Sequence, residues 1–161
     1  MDKPIEKNQH YELTITDMGS EGEGIGKIND FTVFIPRAIT GDVVEIRIVK
    51  VKKSFGYGKL VKLITPSPFR VEPICEVADT CGGCQLQHLS YEAQLDWKTK
   101  KVKDCLNRIG GLKDIEVLPT LGMGTPYHYR NKAQYPIRQI NGKVQTGFFA
   151  PRSHQLIPLK T

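Results

Sequence analysis

The sequence predicts a mainly β chain with one long helix, an α+β organisation in which a small closed barrel precedes a smaller β-rich region. Three observations carry that expectation. Short runs between residues 10 and 64 alternate apolar and polar residues, Pro66-Ser67-Pro68 breaks the pattern, and residues from Ser90 to Gly110 follow helical spacing.

Tyr11, Leu13 and Ile15 alternate with Glu12, Thr14 and Thr16, the period of a half-buried strand. Phe31, Val33 and Ile35 repeat the alternation after an Asn29-Asp30 turn, and Val44, Ile46 and Ile48 repeat it after Gly41-Asp42. A last apolar run, Leu60 to Ile64, follows Gly56 and Gly58. Strands this short, separated by Gly, Asn and Asp, suit a five-stranded OB-like barrel. A domain boundary is expected at Pro66, giving domains of residues 1–65 and 66–161. In the second, Ser90 can cap a helix whose stripe is Leu95, Val102, Leu106 and Ile109, with Gly110-Gly111 ending it. Asn141-Gly142, between Tyr135/Ile137 and Val144/Phe148, is a two-residue hairpin signal.

At 161 residues, with ordinary apolar and charged fractions, the chain can bury one or two modest cores. The start, MDKPIEKNQHYE, has no apolar stretch of secretory type, and no run approaches the ~20 apolar residues that span a bilayer. A cytoplasmic location without membrane contact is therefore expected, where cysteines stay reduced. The net charge is +6, unevenly spread. No Asp or Glu follows Glu116, against Arg130, Lys132, Arg138, Lys143, Arg152 and Lys160. Lys50 to Leu63 is also acid-free, with Lys50, Lys52, Lys53, Lys59 and Lys62. Two such stretches point to a polyanionic partner, with a solvated basic surface as the plain alternative.

Within the first stretch, Lys52, Lys53, Phe55, Tyr57 and Lys59 combine phosphate-attracting charge with rings able to stack on bases. Either ring could instead close the barrel core. Tyr129, Arg130 and Lys132, beside Tyr127, form a second candidate cluster, although these tyrosines could pack on the helix. Gly22, Gly24 and Gly26 are no dinucleotide fingerprint, because strand-like FTVFIP follows where a helix N-terminus would be needed. They are read as an irregular β-turn. His128 and His154 are isolated and are read as ordinary surface or hydrogen-bonding residues.

Cys75, Cys81 and Cys84 form C-x5-C-x2-C, closing on CGGC, a spacing that can bring thiolates onto one metal or cluster. A redox dithiol at Cys81/Cys84 lacks a surrounding βαβ pattern. A fourth ligand is missing nearby. Cys105 falls close to the helix stripe and reads as a small core residue, and His88 as a structural histidine.

The segment GEGIGKINDFTVFIPRAITGDVVEIRI resembles a TRAM domain, an OB-like RNA-binding barrel. PSPFRVEPIC and CGGCQLQHLSYEAQLDWKTKKV are similar to the iron–sulfur module of bacterial 23S rRNA (uracil-5-)-methyltransferases. YRNKAQYPI and TGFFAPRSHQLIPLK resemble strands of that family's central domain. The resemblance implies a [4Fe–4S] cluster on Cys75, Cys81 and Cys84, with a fourth ligand just after the strand matching His154 to Lys160. The chain would stop just before that ligand, as a truncated N-terminal portion. It would also lack the downstream domain that binds S-adenosylmethionine and supplies a cysteine nucleophile for addition to C6 of a flipped-out uracil. No catalytic residue is assigned, and this chain alone is expected to be inactive. The implied partner is 23S rRNA, and the implied state a monomer. Rival readings are a four-cysteine zinc-ribbon RNA-binding protein using Cys105 as fourth ligand, a fragment of a TRAM-bearing methylthiotransferase, and a protein–protein adaptor.

Overall fold

The computed structural model describes residues 4–159. Lys160, from the second acid-free stretch and the end of the family-like strand, lies outside them. The described residues fall into two compact units: residues through Val71 with His88–Leu121, and Glu72–Gln87 with Gly122 onward.

The first unit holds a closed barrel of β1 (His10–Met18), β2 (Gly24–Ile28), β3 (Phe31–Ile35), β4 (Val43–Val51) and β5 (Phe55–Thr65), in the order β1-β2-β3-β5-β4. All neighbours are antiparallel except β3 and β5, which run parallel. The alternation read from the sequence sets the inside: Val33, Ile35, Val44, Ile46 and Ile48 are all 0% exposed. Fully burying each such side chain contributes about 1.5–3 kcal/mol.

Strand β2 corrects one expectation. Gly24 and Gly26 lie within it, their Cα positions opposite Ile35 and Val33, while Gly22 (φ +84°) makes the turn before it. A Cβ on Gly24 would sit 2.7 Å from the Ala38 carbonyl oxygen, and one on Gly26 2.3 Å from Leu13 Cδ1. These glycines are strand residues because the barrel interior leaves no room for a side chain. Asn29 and Asp30, both at positive φ, form the two-residue turn from β2 to β3.

The proline break ends β5, but the chain beyond it stays fastened to the barrel. Asp42 is 0% exposed and accepts from the Ile39 and Ser67 amides, each at 2.9 Å. It also accepts from Arg70 Nε at 3.1 Å and from Arg70 Nη2, which donates to the Arg37 carbonyl as well.

Helix α1 (Tyr91–Arg108) completes this unit. Ser90 Oγ accepts from the Ala93 amide at 3.3 Å, and Gly111 (φ +67°) follows the end. No residue of the helix is fully buried. The expected apolar stripe is therefore corrected: Val102 is 51% and Ile109 84% exposed. Its attachment is polar instead. Lys100 Nζ bridges Asp17 (2.9 Å) and Asp104 (2.7 Å), and Lys101 Nζ donates to the Ser20 carbonyl at 2.9 Å. Cys105 is likewise not a core residue: it is exposed and lines a groove with Met18, Ile25 and Trp97.

In the second unit, β6 (Ile137–Ile140), β7 (Lys143–Phe149) and β8 (Leu156–Pro158) form an antiparallel sheet. Asn141 (φ +51°) and Gly142 (φ +76°) turn β6 into β7, with Ile140 opposite Lys143. The cysteine loop is pinned to β7 by the Gly82 amide, which donates to the Phe149 carbonyl at 2.9 Å. No helix among the described residues is long and apolar enough to cross a membrane.

Candidate nucleic-acid interface

Strand β5 opens Phe55-Gly56-Tyr57-Gly58-Lys59, and the two glycines decide where the rings go. Both glycines face inward and are buried. A Cβ on Gly56 would lie 2.6 Å from Ile5 Cδ1, and one on Gly58 2.7 Å from Ile46 Cδ1. With that phase filled by glycine, Phe55 and Tyr57 occupy the outer face, half-buried and outside the core cluster. Neither ring closes the barrel.

Phe34 joins them from β3, where its Cα position pairs with that of Tyr57. Ring centroids are 5.5 Å apart for Phe34–Phe55, 5.9 Å for Phe34–Tyr57 and 5.6 Å for Phe55–Tyr57, two of the three pairs edge-to-face. Phe34 is absent from the candidates the sequence suggests. Its signal was available, because it lies between inward Val33 and Ile35 and so had to point out.

Strand β4 lays cations beside the rings. Lys50 pairs with Tyr57 across the ladder and Arg47 with Lys59. Lys52 and Lys53 are exposed in the β4–β5 turn, closed by the Lys52 amide donating to the Phe55 carbonyl at 2.8 Å. None of Arg47, Lys50, Lys52, Lys53 and Lys59 has a side-chain ion pair among the described residues. Like charges directly opposite, as at Arg47 and Lys59, destabilise a strand pair. A polyanion laid along this face would relieve that repulsion while its bases met the rings.

Tyr129, Arg130 and Lys132 lie in the second unit on irregular backbone before β6. All three are exposed, as is Tyr127.

The cysteines are less gathered than their spacing suggests. Cys81 is buried, Cys75 half-buried and Cys84 exposed. The Cys81 amide donates to the Val77 carbonyl at 2.8 Å, and the Gly83 amide to Cys81 Sγ at 3.3 Å. Three thiols in ten residues suit a thiolate-ligated metal in chemistry. Among the described residues, however, no three His, Cys, Asp or Glu side chains are grouped to hold one ion. His88 is buried, in the first unit.

Residues 4–61, which hold nearly all of the five barrel strands, match the TRAM domain. Over nearly its whole length the chain resembles longer proteins. It is 57% identical over 160 residues to a Clostridium tetani protein named "Uncharacterized RNA methyltransferase", covering 99% of this chain and 35% of that protein. A similarly named protein of Clostridium acetobutylicum is 49% identical over 96% of this chain and 34% of its own length. One from Halalkalibacterium halodurans is 46% identical over 97% and 34%. Residues 4–61 thus match the TRAM domain, and the chain as a whole is similar to longer proteins named RNA methyltransferases. It spans about a third of the length of these relatives.

Proposed function

We propose that this chain is the RNA-recognition portion of an S-adenosylmethionine-dependent 23S rRNA uracil-5-methyltransferase. One observation carries the RNA-binding part: three clustered rings on the outer face of a TRAM barrel, flanked by cations that have no carboxylate partner among the described residues. The names of the relatives support methyl transfer to RNA as the activity of the whole protein. The choice of uracil C5 and of 23S rRNA rests on the sequence resemblance around CGGCQLQHLSYEAQL.

In this reading residues 1–65 and 66–161 are successive modules of a cytoplasmic, monomeric enzyme. Phe34, Phe55 and Tyr57 stack against unpaired bases, and Arg47, Lys50, Lys52, Lys53 and Lys59 neutralise phosphates. Tyr129, Arg130 and Lys132 add contacts from the second module. Cys75, Cys81 and Cys84 are three ligands of a [4Fe–4S] cluster whose fourth comes from outside this chain. The cluster shapes the RNA-binding surface, and S-adenosylmethionine binds elsewhere in the whole protein.

Titrating labelled single-stranded, uracil-containing RNA with the chain, followed by fluorescence anisotropy, tests the interface. Phe34→Ala with Tyr57→Ala is expected to weaken binding at least about thirtyfold, at ~1–3 kcal/mol for each of two stacked bases. Lys59→Ala should lower the slope of log affinity against log salt by about one. An affinity insensitive to salt and to both changes would point to the protein–protein adaptor instead. Iron analysis after anaerobic reconstitution tests the cysteines: tightly held zinc lost on Cys105→Ser would replace the cluster with a zinc ribbon. Incubated with S-adenosylmethionine and RNA, the 161-residue chain should transfer no methyl group.

A further inference from the structure

The small sheet of the second unit brings two cations of the second acid-free stretch, Arg138 and Lys143, onto one face beside an aromatic ring. The β6–β7 register places Arg138 opposite Gln145 and Ile140 opposite Lys143, while Ile137 faces Thr146 and Gln139 faces Val144. Alternation therefore sends Ile137, Val144 and Phe148 to one side and Arg138, Ile140, Lys143, Gln145 and Phe149 to the other. Gly147 also falls on the second side, between Gln145 and Phe149, and puts no side chain between Arg138 and the Phe149 ring. The guanidinium lies over that ring, Cζ 5.9 Å from its centroid. On the same ring, His154 packs edge-to-face at 5.7 Å and 79°. Arg138, Lys143 and His154 are exposed and Phe149 is half-buried.

We infer that Arg138, Lys143, Phe149 and His154 form a second single-stranded RNA contact, in which a base stacks on the Arg138–Phe149 platform and Lys143 holds an adjacent phosphate. The inference rests on the RNA-binding reading above. It is carried by charge and by shape together. The acids of this unit, Glu72, Glu76 and Asp79, all precede β6, and no Asp or Glu follows Glu116. Neither Arg138 nor Lys143 has a side-chain hydrogen bond or ion pair among the described residues. A lone basic patch would suit any polyanion. A planar guanidinium held over an aromatic ring, with an imidazole at its edge, adds the flat π surface that a nucleobase uses and an acidic peptide does not.

The test compares four proteins in anisotropy titrations with an about twelve-nucleotide single-stranded RNA, a length within the range one such module covers. These are the unaltered chain, Arg138→Ala/Lys143→Ala, Arg138→Lys, and the barrel variant Phe34→Ala/Tyr57→Ala. Arg138→Ala/Lys143→Ala should weaken binding about five- to tenfold and lower the salt slope by one to about two. Arg138→Lys, which keeps the charge and loses the planar group, should retain the slope but lose photocrosslinking to the peptide containing Phe149 and His154. Both changes are on exposed side chains, and far-ultraviolet circular dichroism checks the fold. If the barrel variant loses affinity while Arg138→Ala/Lys143→Ala does not, this contact is overturned and the RNA-binding reading stands. If the unaltered chain does not bind RNA, both fall. Competition by polyglutamate as effective as by RNA would overturn it in favour of an acidic protein partner.

Discussion

In the barrel, alternating Val33, Ile35, Val44, Ile46 and Ile48 are wholly buried, whereas in β6 and β7 the alternating Ile137 and Val144 are 65% and 74% exposed. Strands β6 and β7 also line up apolar residues, Ile137, Val144 and Phe148, on one face. The difference lies in what covers the apolar face. A barrel curls until its own opposite wall becomes the second layer, and glycines at 24, 26, 56 and 58 let that wall approach closely. An open sheet of three strands has no opposite wall. Among the described residues, only Cys81 and Leu156 of the buried hydrophobic set belong to the second unit. Alternation thus specifies a strand and its faces, and topology specifies whether either face is dry.

The sharpest way to break this contrast is at the buried ion pair that anchors the chain after β5. Arg70→Ala strands Asp42 without its cation and should cost about 3–5 kcal/mol in chemical denaturation. The pair also sets a pH dependence. Burial pushes the Asp42 carboxyl up, but hydrogen bonds from Arg70 and the Ile39 and Ser67 amides, with the Arg70 charge, outweigh it and hold the pKa below its usual value. Its stabilisation is therefore complete above the carboxylate pKa of the unfolded chain and is lost as pH falls through the lower native value. The deficit of Asp42→Asn should shrink over that acidic window; a deficit independent of pH would refute the charge-based account.

Next in size, Ile46→Ala should cost about 2–5 kcal/mol. Ile137→Ala, made at an exposed strand position, should change stability by less than about 0.5 kcal/mol. Equal losses from the two would show that the sheet face is covered after all. The smallest effect is expected at Lys100→Ala. That ammonium is pushed above its usual pKa by its hydrogen bonds to Asp104 and Asp17, yet its side chain is 48% exposed. Removing it should cost under about 1 kcal/mol, and less in high salt, which a salt series of thermal melts would read.

Much of the barrel was legible. Three runs of alternation coincide with β1, β3 and β4, and Asn141-Gly142 turns β6 into β7 as its dipeptide signal predicts. Strand β2 was hidden because glycine is a poor strand former in isolation, and its place is set by Ala38 and Leu13, distant in sequence. The same blindness shortened β5, whose first half, Phe55 to Lys59, alternates ring, glycine, ring, glycine. The helix was found with its N-cap, but its stripe predicted burial that a mostly polar attachment through Lys100 and Lys101 does not provide. At the interface, Phe55, Tyr57 and Lys59 were legible from composition. The outward face of Phe34 was legible from Val33 and Ile35, but its meeting with Tyr57 through a parallel pairing, like that of Arg47 with Lys59 across a ladder, required the register. Asp42 looked like a turn residue, and Arg70, 28 positions further along, is what makes it a buried anion.

The parallel pairing of β3 with β5 also orders events during synthesis. The hairpin of β2 and β3 can form as soon as Ile35 is made, and β4 can join β1, but the ring stays open between β3 and β4 until the last strand arrives. Until residue 65 has cleared the ribosome, the nascent barrel displays two unpaired strand edges, each a template for mispairing with a neighbouring chain. The glycine-rich start of β5, which fits the interior only as glycine, is thus also the latch whose arrival ends that vulnerable interval.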